Sequence, residues 1–494
     1  MLIQYLMSST AIIITILIYS AILFGVTILT ARNAGNKGYY KGNNSSPWYV
    51  IAYGMIGASL SGVTFMSVPG NVANTQFSYM ALVFGFFAGY AIITLVLLPL
   101  YYKLNLTSIY SYLEQRIGIN SYRTGAFFFM LSRTIGASFR MYLVVSVLQA
   151  FVFEALGVPF IITVAVFILL ILLYTYQGGI KTIIWTDTLQ TTCMLAAAII
   201  SVYLISSDLG FSFTQLFSEI KKSDYSQIIF TDVHDKRFFL KQFISGAFIT
   251  IVMTGLDQEM MQKNLSCRNL KEAQKNMFSF SIVLVVVNLI FLMLGALLFL
   301  YCAHHHIDIP KKTDELFPMI AINYLGPVAG LVFIIGLISA AYPSADGALT
   351  SLTTSFCIDI LRLDERKDLN EKQSIKTRTI VHISFAILLL IVIVIFRQIN
   401  DEAVISKLFK VAGYTYGPLL GLYTFGLYTS RKAKDNLVPI ICLLSPIICY
   451  VINANSKVWF DGYEFGFELL VINGFITWLG LMLISSKQSN LKIA

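Results

Sequence analysis

Three ionisable side chains stand inside stretches otherwise apolar enough to lie in lipid: Arg140, Asp187 and Asp346. A guanidinium at the middle of an apolar helix costs about 2.5–3.5 kcal/mol even on a lenient insertion scale, so Arg140 must face a cavity or a partner. Its planar fork suits a carboxylate. The plainer alternative is a structural arginine satisfied by helix carbonyls or by an internal aspartate. Asp187 lies in Trp185-Thr186-Asp187-Thr188, and Asp346 in Ser339-Ala340-Ala341-Tyr342-Pro343-Ser344-Ala345-Asp346-Gly347. Two buried carboxylates beside hydroxyls suit a hard cation such as Na⁺. Pro343 has no N–H, which leaves the Ser339 carbonyl available as a further ligand. The competing readings of the two aspartates are a proton carrier and an ion-pair partner of Arg140.

Such groups need backbone that can open toward them. Gly57-Ala58-Ser59-Leu60-Ser61-Gly62-Val63-Thr64-Phe65-Met66-Ser67-Val68-Pro69-Gly70 offers it: three glycines, a proline and four hydroxyls inside an apolar run that starts near Trp48. Gly costs about 1 kcal/mol against Ala within a helix and Pro removes a donor, so the sequence predicts a break there. In hydrocarbon, freed carbonyls must face protein, water or an ion. A second irregular run, Gln242 to Gln262, holds Gly246, Gly255 and the cluster Asp257-Gln258-Glu259.

The rest of the chain places both runs in a bilayer. Of 494 residues, 57% are hydrophobic and 12% charged, about half the charge of a soluble domain. Thirteen spans are expected, at about 9–31, 48–69, 77–102, 124–153, 157–176, 183–206, 242–262, 277–303, 327–358, 379–397, 404–428, 437–454 and 465–486. The connections after the odd-numbered spans, with the C-terminus, carry 22 Lys and Arg against 9 in the alternate ones, which predicts the N-terminus outside and the C-terminus in the cytoplasm. The net charge of +9 therefore reports topology, and no nucleic-acid partner is expected. The six scattered cysteines form no CxxC pair and read as reduced packing residues. Residues 1–31 show no cleavage site and read as a retained first helix.

Two interrupted spans in matching positions suggest an inverted repeat. The expected architecture is a single all-α transporter domain over 1–494. It comprises an extra helix at 9–31, a first five-helix repeat at 48–206, a second at 242–428 and two extra helices at 437–486. The plainer alternative is two ordinary glycine-containing packing helices. The polar connection from about Asp208 to Lys241 has room for only a short surface helix. His304-His305-His306 beside Asp308 reads as a solvated loop rather than a metal site. Tyr414, Tyr416, Gly417 and Pro418 mark one more irregular helix. No GxxxxGK[ST] or HExxH motif is present, which speaks against an ATP-driven pump or a zinc enzyme. A transporter-like sensor without flux is the alternative of another class.

Several of these stretches together resemble the sodium/solute symporter family: Gly57–Gly70, Gly178-Gly179 with Trp185 to Gln190, Asp257-Gln258 through Ala273, Ser344 to Asp359, and Gly413 to Gly421. The resemblance implies a leucine-transporter-type fold, two inverted five-helix repeats working by alternating access, with Na⁺ as coupling ion and no other cofactor. It implies a sodium site at the carbonyls of Gly57, Leu60 and Ala340 and the hydroxyl of Ser344. Pro343 stands where the family has a second hydroxyl. A further sodium site in some members would use Asp187 and positions 346 and 347, where Asp346 could ligate and Gly347 offers no side chain. For the solute it implies Ser61, Thr64, Arg140 and Asp257, the last as ligand or gate. The favoured cargo is a small carboxylate-bearing, sialic-acid-like sugar acid, carried by a functional monomer in a bacterial inner membrane. The alternative is a proton-coupled or uncoupled transporter of the same fold for a neutral sugar or amino acid.

Overall fold

A computed structural model describes residues 9–30, 35–42, 46–175, 179–366, 368–399, 404–463 and 465–487. Gly178 lies outside them, as do Arg32, Lys367 and Lys492 among the 22 Lys and Arg counted above. Helices occupy all thirteen expected stretches. They are α1 (Ser9–Thr30), α2 (Trp48–Gly70), α3 (Val72–Lys103), α4 (Ile119–Leu156), α5 (Phe160–Thr175) and α6 (Ile180–Asp208). After the surface helix α7 (Phe213–Lys222) come α8 (Phe239–Gly255), α9 (Gln258–Leu265), α10 (Leu270–His305) and α11 (Pro327–Ile360). The last four are α12 (Glu371–Ile399), α13 (Val404–Tyr428), α14 (Val438–Ala454) and α15 (Leu469–Leu483). Among the described residues, nine helices are by themselves long and apolar enough to cross a membrane, and ten are when α8 and α9 count as one bent span. A small antiparallel pair, β1 (Arg431–Ala433) and β2 (Ser485–Lys487), departs from the all-helical expectation and ties the segment after α15 to the loop after α13.

Burial sorts the helices into inner and outer ones. In α2 and α11, 89% and 78% of the apolar window lies inside the protein, against 33% in α1 and α12 and 22% where α14 runs. The outer helices present their apolar side chains to lipid; the glycine-, serine- and threonine-rich α2 and α11 are shielded from it. Phe65 of α2 packs on Phe333 of α11 at 5.7 Å between ring centroids. A side chain at Gly336 would strike the Phe65 ring, so glycine is required for this approach.

The two irregular runs are both broken. In α2 the break falls at Ser61, whose φ of 53° and ψ of 174° lie outside the helical region. In the second run α8 ends at Gly255, and α9 leaves it at 65°. Asp257 starts α9 as its N-cap, accepting from the backbone N–H of Glu259 and Met260 at 3.0 and 3.3 Å. The apolar run was expected to end at Gln262; instead the helix continues to Leu265, which carries Lys263 into the protein interior.

Two further expectations meet their structural detail. The polar connection does form a short helix, α7, opened by a Ser212/Gln215 capping box; Leu216 and Ile220 are buried while Phe213 and Phe217 are exposed. In α13, Pro418 cannot donate to the Tyr414 carbonyl, and Asn473 of α15 donates to it at 2.8 Å instead. His304 and His305 close α10, His306 caps it in a left-handed conformation, and His305 meets Asp208 at 2.9 Å.

Candidate functional site

The break in α2 opens onto a cavity of about 740 Å³, part of it continuous with solvent. Ser61 and Thr64 line it from α2, Tyr90 from α3, Arg133 and Arg140 from α4, and Asn288 from α10. A left-handed φ at a residue other than glycine costs about 1–3 kcal/mol, and here it turns the chain so that Ser61 and Thr64 both reach the cavity. Gly62, next in the chain, leaves no space for a side chain against Val144 of α4. The carbonyls of residues 57–60 form the last turn before the break, where a helix lacks onward N–H partners. That turn is pinned to α6, because the Gly57 N–H donates to Thr191 Oγ1 at 3.1 Å.

The two arginines of the cavity differ in one respect. Arg133 pairs with Glu259, and its second terminal nitrogen lies 3.8 Å from Asp257. Arg140, equally buried, has no hydrogen-bond or ion-pair partner among the described residues. Desolvated cations are normally paired, so a guanidinium with no partner among the described residues, on a cavity wall, is suited to an anion. Asp257, the fourth residue expected at the solute, does not line the cavity. Both its oxygens are engaged by the α9 cap and by Tyr416, whose hydroxyl donates at 2.8 Å.

Beneath the cavity, on the α9 side, the protein is closed. The carbonyls freed at the bend are taken by tyrosines: Tyr101 donates to Gly255 at 2.8 Å and Tyr110 to Leu256 at 2.9 Å. Gln258 is clasped by the Ile109 N–H and the Thr107 carbonyl, and all eight residues of α9 are buried.

The candidate cation ligands divide into two sets. On α11, Ser344 Oγ, Asp346 Oδ1 and Thr350 Oγ1 are buried without hydrogen-bond partners among the described residues, while Asp346 Oδ2 accepts from Tyr174 at 2.8 Å. Unsatisfied buried oxygens at this density suit a cation. Ala340 lies buried one turn before Ser344. The Ser339 hydroxyl turns away to Tyr19 of α1 at 2.7 Å, so only its carbonyl remains to face α2. On α6, Asp187 is already partnered: Lys263 Nζ sits 2.7 Å from its Oδ2. Lys263, Glu259 and Arg133 drew no attention in the sequence as site residues. The seven-residue spacing of Arg133 from Arg140, two helical turns, was the available signal for one of them.

A helix broken within an apolar span, a buried guanidinium beside it and oxygens without partners among the described residues on a packed neighbour are the features of a secondary transporter with a leucine-transporter-type fold. The chain belongs to the sodium:solute symporter family, whose model matches residues 39–436. It is a multi-pass membrane protein and a transporter, not an enzyme. Among similar proteins, the sodium/sialic acid symporter NanT of Aliivibrio fischeri is 25% identical over 94% of this chain and 92% of its own. The sodium/sialic acid symporter SiaT of Proteus mirabilis is 24% identical over 93% and 92%. The fold matches that of a substrate-bound, outward-open Na⁺-coupled sialic acid symporter with a TM-score of 0.82, at 20% identity, over 97% of this chain and 99% of that one. It also matches a nucleobase-cation-symport-1 family transporter in a closed conformation, with a TM-score of 0.57 at 13% identity over 92% and 95%.

Proposed function

We propose that this protein is a Na⁺-coupled symporter for a carboxylate-bearing sugar acid of the sialic acid type. The observation that carries the reading is Arg140, buried on the cavity wall with no counter-ion among the described residues. A substrate carboxylate supplies the missing bidentate partner, and Ser61, Thr64 and Asn288 offer hydrogen bonds to hydroxyl and amide groups. The names of the similar symporters agree with it. Na⁺ binds at the carbonyls of Gly57, Leu60 and Ala340 with Ser344, joined by Asp346. In bridging α2 and α11 it favours the state whose cavity is open and whose α9 side is closed. The ion can shift that equilibrium only by its difference in affinity between the two states.

The remaining parts of the reading follow from charge and topology. Residues 48–206 and 242–428 form the two inverted repeats, with 9–31 and 437–486 outside them. The chain works as a monomer in the bacterial inner membrane, N-terminus out, so that α9 is the cytoplasmic gate. Proteoliposomes loaded with K⁺ and diluted into Na⁺ test the function. Labelled N-acetylneuraminic acid should accumulate above its equilibrium level. Accumulation that ignores the Na⁺ gradient removes sodium from the mechanism, and uptake competed by neutral sugars but not by sugar acids removes the carboxylate.

A further inference from the structure

Below the cavity runs a buried chain of ion pairs, Arg133 to Glu259 to Lys263 to Asp187, that joins α4 to α6 through α9. Lys263 Nζ is 2.7 Å from Asp187 Oδ2 and 3.5 Å from Glu259 Oε1, and all three side chains are almost wholly enclosed. Asp187 lies on the same interface of α6 with α2 and α11 that carries the candidate cation ligands, and Gly54 of α2 packs on its Cβ. Gly347 of α11 faces the Glu259 carboxylate so closely that a methyl group there would overlap it. No residue with a ligating side chain fits at 347 while Glu259 holds this position.

We propose that the Lys263 ammonium is a built-in cation that takes, at Asp187, the place a second transported cation would need, so that one Na⁺ is carried per solute. This rests on the sodium-coupled reading above and fixes its stoichiometry. Within the cluster three carboxylates, Asp187, Glu259 and Asp257, face two cations, Arg133 and Lys263, and it is Lys263 that meets Asp187. A Na⁺ at Asp187 would sit beside the Lys263 ammonium, like charge against like charge in a low-dielectric interior where the repulsion is poorly screened. The oxygen of Asp187 without a partner offers a site for water, since the charge of the carboxylate is already met. Asp346 presents the opposite case: it has a tyrosine hydroxyl but no cation within ion-pair distance among the described residues, and the unpartnered hydroxyl of Thr350 lies one turn after it on the same face of α11. The single ion belongs on α11.

Equilibrium binding of ²²Na⁺ to the purified full chain tests the assignment without any transport measurement. Wild-type protein should hold one Na⁺ per chain with a Hill coefficient of 1. Lys263→Gln should hold two, because it bares Asp187. The double variant Asp187→Asn/Lys263→Gln should return to one, with an affinity within about twofold of wild type. Two ions on the wild type overturn the proposal, as does a Lys263→Gln protein that stays at one, or a double variant that binds none. If Lys263→Gln does not fold, the wild-type count and the charge-balanced double variant decide. No ion on the wild type overturns sodium coupling itself, and this inference with it.

Discussion

Arg133 and Arg140 lie two helical turns apart on α4 and line the same cavity, yet among the described residues Arg133 alone of the two meets carboxylates. In the proposed function the guanidinium of Arg140 is the one left for the carboxylate of the cargo. Replacing Arg140 by Lys keeps the charge and removes the fork. Arg140→Lys should raise the apparent substrate constant by about tenfold, on the order of 1.4 kcal/mol, with the Na⁺ dependence unchanged. Uptake kinetics at saturating Na⁺ measure this, and a wild-type constant would make Arg140 a purely structural residue.

Ser344 is the hydroxyl on α11 nearest in sequence to Pro343, and it has no hydrogen-bond partner of its own. As a Na⁺ ligand it should matter to the ion and not to the fold. Ser344→Ala should raise the Na⁺ concentration for half-maximal uptake by about tenfold while leaving the thermal midpoint in K⁺ close to wild type. A Na⁺ titration superimposable on that of wild type would remove Ser344 from the site.

Ser61 holds a backbone conformation that favours glycine, and its side chain lines the cavity. Its two roles pull in opposite directions. Ser61→Gly should stabilise the protein by up to about 1 kcal/mol through relief of strain, and weaken the solute through loss of the hydroxyl. Thermal shift without solute reads the first and uptake kinetics the second. Two changes of the same sign would mean that one of the roles is misassigned.

How much of this was legible depended on the kind of signal. The break in α2 and the bend after Gly255 were announced by glycine, proline and hydroxyl residues where lipid tolerates few of them. Arg140 and Asp346 stood out as charges in apolar runs. Lys263 did not, because Gln258, Gln262 and Asn264 surround it and the run reads as a helix end passing into a basic loop. Only the 65° bend, which turns α9 inward, makes that polar stretch interior. Likewise the density of glycines in α2 gave the break but not its place. The left-handed residue is Ser61, and it is the neighbouring Gly62 that packs against Val144 on α4. Side-chain direction was beyond the sequence too: Ser339 and Ser344 both offer hydroxyls on α11, and tertiary packing turns the first to Tyr19.

The irregularity of α13 has a cause that can be tested with two residues. Pro418 frees the Tyr414 carbonyl, and the Asn473 side-chain amide of α15 donates both to it and to the Gly413 carbonyl, at 2.8 and 3.0 Å, while its oxygen accepts from Ser445. Lipid offers no donor to take over that carbonyl. Asn473→Leu, close in volume but unable to donate, should therefore lower stability by about 1–3 kcal/mol, the cost of leaving a buried acceptor unmade. Pro418→Ala returns the N–H that α13 lacks. In the Asn473→Leu background it should recover part of the lost thermal midpoint, while in the wild-type background, where the carbonyl already has a donor, it should gain less. Equal effects of Pro418→Ala in both backgrounds would show that Asn473 acts by packing against Gly417 and not by capping the carbonyl of Tyr414.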